Sequence, residues 1–484
     1  MLNLRCVAFF LGNLLLGLAA AMLVPAGTAW YLGEGELSAF ASSAGLAAAA
    51  GALVSFWFRP RQGISLSRLD GFVLVTGAWF VASFAGALPY VLTKGGDFAV
   101  NGLFEAASGF TATGASVLPD VESEAQSLLL WRALTQWLGG MGIIVLALAI
   151  LPNLAVGGME LLSAEMPGPT QEKLTPRIAQ TAKLLWGIYV LLTASETAIL
   201  TLLGMPLFDA LAHSFTTLAT GGFSTRNASL GAYGGGIQWV VTVFMVLGAT
   251  NFALHYRLLR GKPGQLFRDT EFRAYIAILT GAALLIGLNL LSSGVSGDFV
   301  EAIRLGAFQV VSIMTCTGFA SADFDAWPGF SRALLLALMF VGGCAGSTTG
   351  SIKVVRIVLA AKVQLRAIKR LLAPNAVLPI RLGGQPVPDT IVNAVISFIA
   401  LYIITFAAGG LLLLFLGVDG ESAFSASATC LGTIGPGLGE VGPARTFLEL
   451  PTAAKLLLSL EMILGRLELY TVLIVPLLLR LRRA

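Results

Sequence analysis

Charge is what this chain has least of. Only 12% of its 484 residues are Asp, Glu, Lys or Arg, whereas 56% are hydrophobic, and mean hydropathy is +0.84. Soluble domains carry about 25% charged residues, so a soluble multidomain protein is excluded. Histidine is nearly missing too: His213 and His255 are the only imidazoles, too few for a His-rich metal centre. The four cysteines, Cys6, Cys316, Cys344 and Cys430, sit singly in apolar segments without a CxxC pair, which argues against a disulfide framework or a zinc site. No HExxH occurs, and Glu196, Glu461 and Glu468 have no second acid or His at a fixed spacing, so an acid–base enzyme is not expected. Neither a nucleic-acid partner nor a covalent or nucleotide cofactor is expected.

Long apolar runs are what the chain has instead. A bilayer-crossing helix needs roughly 20 mostly apolar residues, and such runs lie near 6–30, 36–58, 69–92, 128–151, 178–204, 236–256, 274–292, 329–351, 388–417 and 453–480. The fold class is therefore an all-α polytopic membrane protein with about ten transmembrane helices. Residues 1–24 have the outline of a leader, with Arg5 before an apolar stretch, but apolar character continues through Trp30, so this segment reads as the first span. Basic loops stay in the cytoplasm. With both termini cytoplasmic, that side receives most of the 30 basic residues, including Arg59, Arg61, Arg68, Lys173, Arg177, the run from Lys353 to Arg381, and Arg480, Arg482 and Arg483. The opposite side carries Glu34, Glu36, Asp97, Asp120, Glu122, Glu124, Asp323, Asp325, Glu440 and Glu449, which would either concentrate cations at an entrance or act as ordinary solvated loops.

One short polar stretch recurs four times. SGFTATGAS around Gly114 is answered by TTLATGGFS around Gly222, SIMTCTGFA around Gly318 and TCLGTIGPG around Gly435. Aligning these glycines puts a hydroxyl six positions upstream in every copy, at Ser108, Thr216, Ser312 and Thr429. Nine positions upstream stand Glu105, His213, Gln309 and Ala426. Registering the second copy on Gly222 rather than Gly221 preserves both columns. The repeated unit is span, short helix, polar loop ending in Gly, span. It predicts four repeats at 69–177, 178–273, 274–381 and 382–484, with two N-terminal spans in 1–68 outside the repeat.

A loop at membrane depth is tolerable only if protein buries it or it lines a water-filled cavity. Four such loops around one axis meet that condition together, and their carbonyls can replace the hydration shell of a cation. Short helices such as 100–110 and 299–313 would aim their partly negative C-terminal ends at the same centre. The four-fold pseudosymmetric pattern therefore predicts a pore for a small cation.

These loops, together with WRALTQWLGGMGIIVLALAILP (131–152), GGCAGSTTGSIK (342–353) and MILGRLELYTVL (462–473), resemble the TrkH/KtrB superfamily of potassium transporters, most of all the TrkH subunits of bacterial Trk potassium uptake systems. The resemblance covers essentially the whole chain. It implies potassium as the transported ion and a multi-pass protein of the bacterial inner membrane, in contact with membrane lipid. It also implies a homodimer and a cytosolic TrkA-type nucleotide-binding regulatory subunit. The filter positions it implies are Thr111, Ala112, Thr113 and Gly114; Ala219, Thr220, Gly221 and Gly222; Thr315, Cys316, Thr317 and Gly318; and Gly432, Thr433, Ile434 and Gly435. The fourth loop departs from the others, and each loop has one aligned glycine where a potassium-channel filter has two, so looser rejection of sodium is expected.

Two further features interrupt the apolar runs. The stretch 342–351 is too rich in Gly and Ser for a stable helix, each Gly costing roughly 1 kcal/mol against Ala. It is not a phosphate-binding loop, since Ile352-Lys353 follows where Lys and Ser or Thr would be required. The resemblance implies an intramembrane gating loop of Gly342, Gly343, Gly346, Ser347, Thr348, Thr349 and Gly350, followed by Lys353. Arg466 stands among Leu and Ile inside the last span, where a cation marks either an ion pathway or a buried pair; the resemblance places it in the permeation path as an electrostatic barrier. The basic helix 353–370 suits either anionic lipid headgroups or a cytosolic partner. Intramembrane glutamates also leave room for a proton- or sodium-coupled symporter.

Overall fold

The structure, a computed structural model, describes residues 3–60, 67–149, 174–376 and 378–481. Arg61, Lys173, Arg482 and Arg483 of the predicted basic loops, and the end of the predicted 128–151 span, lie outside the described residues.

Almost everything described is helix. The N-terminal pair α1 (Leu4–Leu32) and α2 (Leu37–Trp57) forms an antiparallel hairpin that turns at Gly33, whose φ of 70° closes the C-cap of α1. Helix α3 (Arg68–Lys94) starts from a capping box, in which Ser67 and Asp70 each satisfy the other's backbone N–H. The chain then repeats a pattern: long helix, short helix, loop, helix. The short helices are α4 (Ala99–Thr111), α7 (Leu207–Leu218), α11 (Phe299–Met314) and α15 (Gly420–Gly432). The long ones that precede them are α3, α6 (Leu174–Leu202), α10 (Thr270–Ser292) and α14 (Asp389–Phe415). The helices that follow are α5 (Gln126–Ala149), α8 (Gly235–Gly248), α12 (Gly329–Leu338) and α16 (Thr452–Arg466). Pro206, Pro328, Pro388 and Pro451 sit at the N-caps of α7, α12, α14 and α16, with φ between −57° and −53°, so the ring fixes the backbone angle where each helix begins.

Six described helices are long and apolar enough to cross a membrane, or seven if α8 and α9 (Phe252–Leu259) count as one bent span. The chain is an all-α polytopic membrane protein. Three of the predicted spans are not continuous. The predicted 236–256 helix breaks between α8 and α9 with a bend of 101°, because Asn251 leaves the helix and caps α9 by accepting from Ala253 N at 2.9 Å. The predicted 329–351 helix stops at Leu338, and regular structure resumes only in α13 (Val354–Leu372). The predicted 453–480 helix breaks after Arg466, where Glu468 and Leu469 take φ of 56° and 52°, before α17 (Tyr470–Leu481). The second break falls on the Gly- and Ser-rich stretch that the sequence marks as too weak for a helix, whereas the other two lie in largely apolar sequence, where hydropathy alone cannot register a change of direction.

Candidate ion pathway

The four short helices end in loops of one conformation. Ala112, Thr220, Cys316 and Thr433, two residues before the aligned glycines, all adopt left-handed backbone with φ between 53° and 57°. Non-glycine residues hold such angles at a cost of about 1–3 kcal/mol each, and only where the surroundings impose them. A shared hydrogen bond does so. The N–H of Thr113, Gly221, Thr317 and Ile434 donates to the carbonyl of Ser108, Thr216, Ser312 and Thr429, at 2.8 to 2.9 Å in every copy. The register on Gly222 is therefore the structural one.

The aligned glycines close a ring. A Cβ added to Gly114 would lie 2.1 Å from the Gly221 carbonyl oxygen, and one on Gly222 would lie 1.9 Å from that of Thr317. On Gly318 it would lie 1.8 Å from the Ile434 carbonyl oxygen, and on Gly435 it would lie 2.8 Å from that of Thr113. Loop one touches loop two, two touches three, three touches four, and four returns to one. Each glycine is needed because its neighbour's backbone occupies the space of a side chain.

Polar side chains brace the ring from behind. Glu105, buried, accepts from Ser116 Oγ at 3.0 Å and from Val117 N at 3.0 Å, and forms an ion pair with Arg132 of α5 at 2.8 Å. His213 Nε2 meets Ser224 Oγ at 2.9 Å, and Gln309 Nε2 donates to the Phe319 carbonyl at 3.2 Å. The column nine positions upstream thus ties down the chain that leaves the loop. Ala426 breaks that column, and Ser425 takes the role, accepting from Leu438 N and donating to Leu438 O at 3.0 Å each. The hydroxyl column is less uniform. Ser312 and Thr429 donate to the carbonyl just after the glycine, Thr216 donates within its own helix, and Ser108 Oγ has no partner among the described residues.

Sequence reasoning missed three supports. Gln136 of α5 holds loop two, donating to the Gly221 carbonyl at 2.7 Å and accepting from Phe223 N at 3.1 Å. Arg132 links loops one and two, donating to the Ser224 carbonyl at 3.2 Å and lying 4.1 Å over the Phe223 ring. Gly139 of α5 and Gly465 of α16 press against equivalent carbonyls, of Phe110 and Leu431, leaving 1.9 Å for a Cβ. The WRALTQWLGG and MILGR stretches carried this signal, but one sequence could not say what the glycines face.

The 342–351 segment lies directly against the ring. Thr348 Oγ1 donates to the carbonyls of Leu218 and Gly248 at 3.1 and 3.2 Å and accepts from Thr220 Oγ1 at 3.2 Å. Ser351 Oγ reaches the Gly432 carbonyl at 3.3 Å, and Cys316 Sγ lies 3.5 Å from Ser351 Oγ. Gly350 abuts the fourth loop: a Cβ added there would lie 2.2 Å from Thr433 Oγ1 and 2.5 Å from the Gly432 carbonyl oxygen. Gly342 and Gly346 have φ of 75° and 72°. Ser347 Oγ bonds Thr349 Oγ1 at 2.8 Å, and the Gly343 carbonyl accepts from Val354 N at 2.9 Å. The segment fills the break between α8 and α9: Cys344 N donates to the Ala249 carbonyl and Phe252 N to that of Gly346, at 2.9 and 3.1 Å. Glu271 accepts from Ala345 N and Val355 N, fixing the far side.

Arg466 is 2% exposed and forms no ion pair among the described residues. Its guanidinium donates to the carbonyls of Thr348 and, at 3.2 Å, Gly139, so it joins the crossing segment to α5. The nearby acid, Glu468, serves other cations, Lys353 at 2.8 Å and Arg356 at 2.6 Å.

On the other side of the ring a cavity of about 170 Å³ is lined by all four aligned glycines. Several acids of that face are engaged in loop structure. Glu34 accepts from Gln126 N and Ser127 N at the start of α5, Asp120 and Glu122 hold Asn227, and Lys94 pairs with Glu124.

Comparison with known proteins agrees over the whole chain. Residues 38–479 match the TrkH family, described as a cation transport protein. The Trk system potassium uptake protein TrkH of Vibrio parahaemolyticus is 41% identical over 477 residues, covering 97% of this chain and 98% of that one. That of Salmonella typhimurium is 39% identical, covering 98% of each. The crystal structure of the potassium transporter TrkH from Vibrio parahaemolyticus superposes with a TM-score of 0.89 at 39% identity, covering 97% of this chain and 98% of that one.

Proposed function

The chain belongs to the TrkH family of cation transport proteins, and on that premise we propose that it is a potassium uptake transporter of the Trk system whose ions pass through the ring of four loops. The observation that carries the reading is the closed circuit of glycine-to-carbonyl contacts at Gly114, Gly222, Gly318 and Gly435. Backbone held that tightly presents its carbonyls at fixed positions, which is what replacing a hydration shell requires. The filter positions are those from Thr111, Ala219, Thr315 and Gly432 to the respective glycines, within pore repeats 69–177, 178–273, 274–381 and 382–484. Gly432 and Ile434 make the fourth quarter the least regular, and the Gly221 carbonyl is shared with Gln136. Potassium is accordingly preferred over sodium less strongly than by four identical strands.

The gate is the segment 342–351, held closed by Thr348, Ser351 and the Arg466 guanidinium. Lys353 and Arg356, tied to Glu468, transmit the position of α13 to that segment. A cytosolic TrkA-type nucleotide-binding subunit acts on the basic face that includes α13. The working unit is a homodimer in the bacterial inner membrane with both termini cytoplasmic. Potassium, rubidium and sodium flux through the purified protein in liposomes tests the reading. Potassium and rubidium flux above sodium, lost in Gly318→Ala, is expected; flux indifferent to that substitution overturns it.

A second reading has one observation in its favour. Glu196 is buried without an ion pair among the described residues, and Glu461 uses one oxygen on Ser427 of α15 and leaves the other unpartnered. Buried acids of this kind mark proton relays, so a proton-coupled symporter would use them. Potassium uptake that proceeds without a proton or sodium gradient, and survives Glu196→Gln and Glu461→Gln, excludes obligatory coupling.

A further inference from the structure

The cavity outside the ring is walled by charge of one sign. Arg132, Arg226 and Arg445 line it, and no carboxylate among the described residues does. Two of the three are neutralised from behind: Arg132 by Glu105 at 2.8 Å, and Arg226 by Asp209 at 2.9 Å with Glu122 at 3.8 Å. Arg445 is exposed and has neither an ion pair nor a side-chain hydrogen bond among the described residues. Its backbone is anchored. Arg445 N donates to the Gly442 carbonyl at 3.0 Å, Phe447 N donates to the Ser116 carbonyl at 2.9 Å, and the Phe447 ring packs on Phe104 with centroids 5.4 Å apart. Of the acids of the same face, Asp120 and Glu122 are bound to Asn227, and Asp325 to Arg332 and Gly439 N, whereas Glu440 and Glu449 are exposed, hold no ion pair among the described residues and do not line the cavity. One positive charge without an ion pair among the described residues therefore lines the small cavity at the opening of the ring.

We propose that Arg445 discriminates cations by valence at the mouth, admitting monovalent ions and turning divalent ones away. This rests on the reading that cations reach the ring through this cavity. The energy of an ion in the field of a fixed charge is proportional to its valence, so the factor by which Arg445 lowers the local concentration of a divalent cation is the square of its monovalent factor. A unit charge about 10 Å away, in a medium between protein and water, changes a monovalent concentration by roughly two- to fourfold and a divalent one by roughly four- to sixteenfold. The monovalent loss is small; the divalent exclusion keeps multivalent ions from occupying and blocking the ring.

The experiment measures rubidium uptake into liposomes holding the full chain, at low ionic strength, with and without external barium. Arg445→Gln is expected to raise rubidium uptake roughly two- to fourfold and to strengthen barium inhibition by about the square of the same factor, and Arg445→Glu to move both further. Arg445→Lys, which keeps the charge, restores wild-type values, and high choline chloride compresses all differences by screening. Wild-type uptake and barium inhibition in the Gln and Glu variants would overturn the proposal, as would equal factors for rubidium and barium. Gly318→Ala separates this from the pathway itself. If it abolishes uptake while Arg445 variants change nothing, only the valence role fails; if uptake ignores Gly318→Ala, the pathway reading fails.

Discussion

The ring glycines are not equivalent at the level of single residues. A methyl on Gly318 or Gly222 would stand 1.8 or 1.9 Å from a neighbouring carbonyl oxygen, and one on Gly435 would stand 2.8 Å from its own. Gly318→Ala and Gly222→Ala are expected to abolish potassium flux. Gly435→Ala should leave a measurable remainder with altered potassium-to-sodium ratio, despite its φ of 107°. Reversal potentials in mixed potassium and sodium solutions check the ratio. Arg132 makes a second residue-level case. Removing it strands the buried Glu105 carboxylate, and breaking a buried pair from one side costs about 3–5 kcal/mol. Arg132→Met should therefore lower the thermal midpoint in detergent markedly, and the double change Arg132→Met with Glu105→Gln should recover part of the loss. A double change no better than the single one would mean that the loop contacts to Ser116 and Ser224, rather than the charge, hold the site.

Among the elements, the crossing segment and its tethers act together. Gly350 has no room for a side chain beside Thr433 and Gly432, whereas a Cβ on Gly346 would face the Asn251 side chain, 3.1 Å from its Oδ1, which can move. Gly350→Ala is thus expected to push the segment off the fourth loop and change the open fraction strongly. Gly346→Ala should act more weakly, through its φ of 72°; single-channel records compare the two. Glu468 binds Lys353 and Arg356 where α16 gives way to α17. Glu468→Gln leaves two largely buried cations less compensated and loosens the end of the segment, so higher basal flux and a lower thermal midpoint should appear together. Flux that stays at the wild-type level while stability falls would make the tether purely structural.

For the molecule as a whole, sequence periodicity and structure meet in the repeat. The loop register, the hydroxyl column and the helix-then-loop order were legible because four copies in one chain compare themselves. The column nine positions upstream was legible as a polar pattern broken at Ala426, but not its tethering role, nor that Ser425, one residue earlier, takes that role in the fourth copy. Of the three broken spans, the one at 342–351 was legible as a Gly- and Ser-rich interruption, whereas the breaks at Asn251 and Glu468 were not, since isolated polar residues in a largely apolar run do not mark a change of direction. Nor could the sequence weigh the acids of the mouth. They left open a cation-attracting entrance or ordinary solvated loops; several of them hold loops, and the charge that lines the cavity is arginine. With Arg466→Ala, the crossing segment loses its link from Thr348 to Gly139 and, on the proposed reading, the pathway loses a fixed positive charge. Uptake is expected to rise several-fold, about the effect of removing one charge from a poorly hydrated path; unchanged uptake would leave Arg466 as a structural brace.

By itself the sequence determined that the chain lives in a membrane, that it is built of helices, and that one short helix and glycine-ended loop occurs four times. Composition, periodicity and repetition are local properties, and the chain carries them wherever it is read. Only the tertiary structure decided that the loops close on one another in order, that Thr348 and Ser351 lie beneath them, and that Arg466 binds carbonyls instead of an acid. Those facts depend on distances between residues far apart in the chain, and the packing of helices sets such distances.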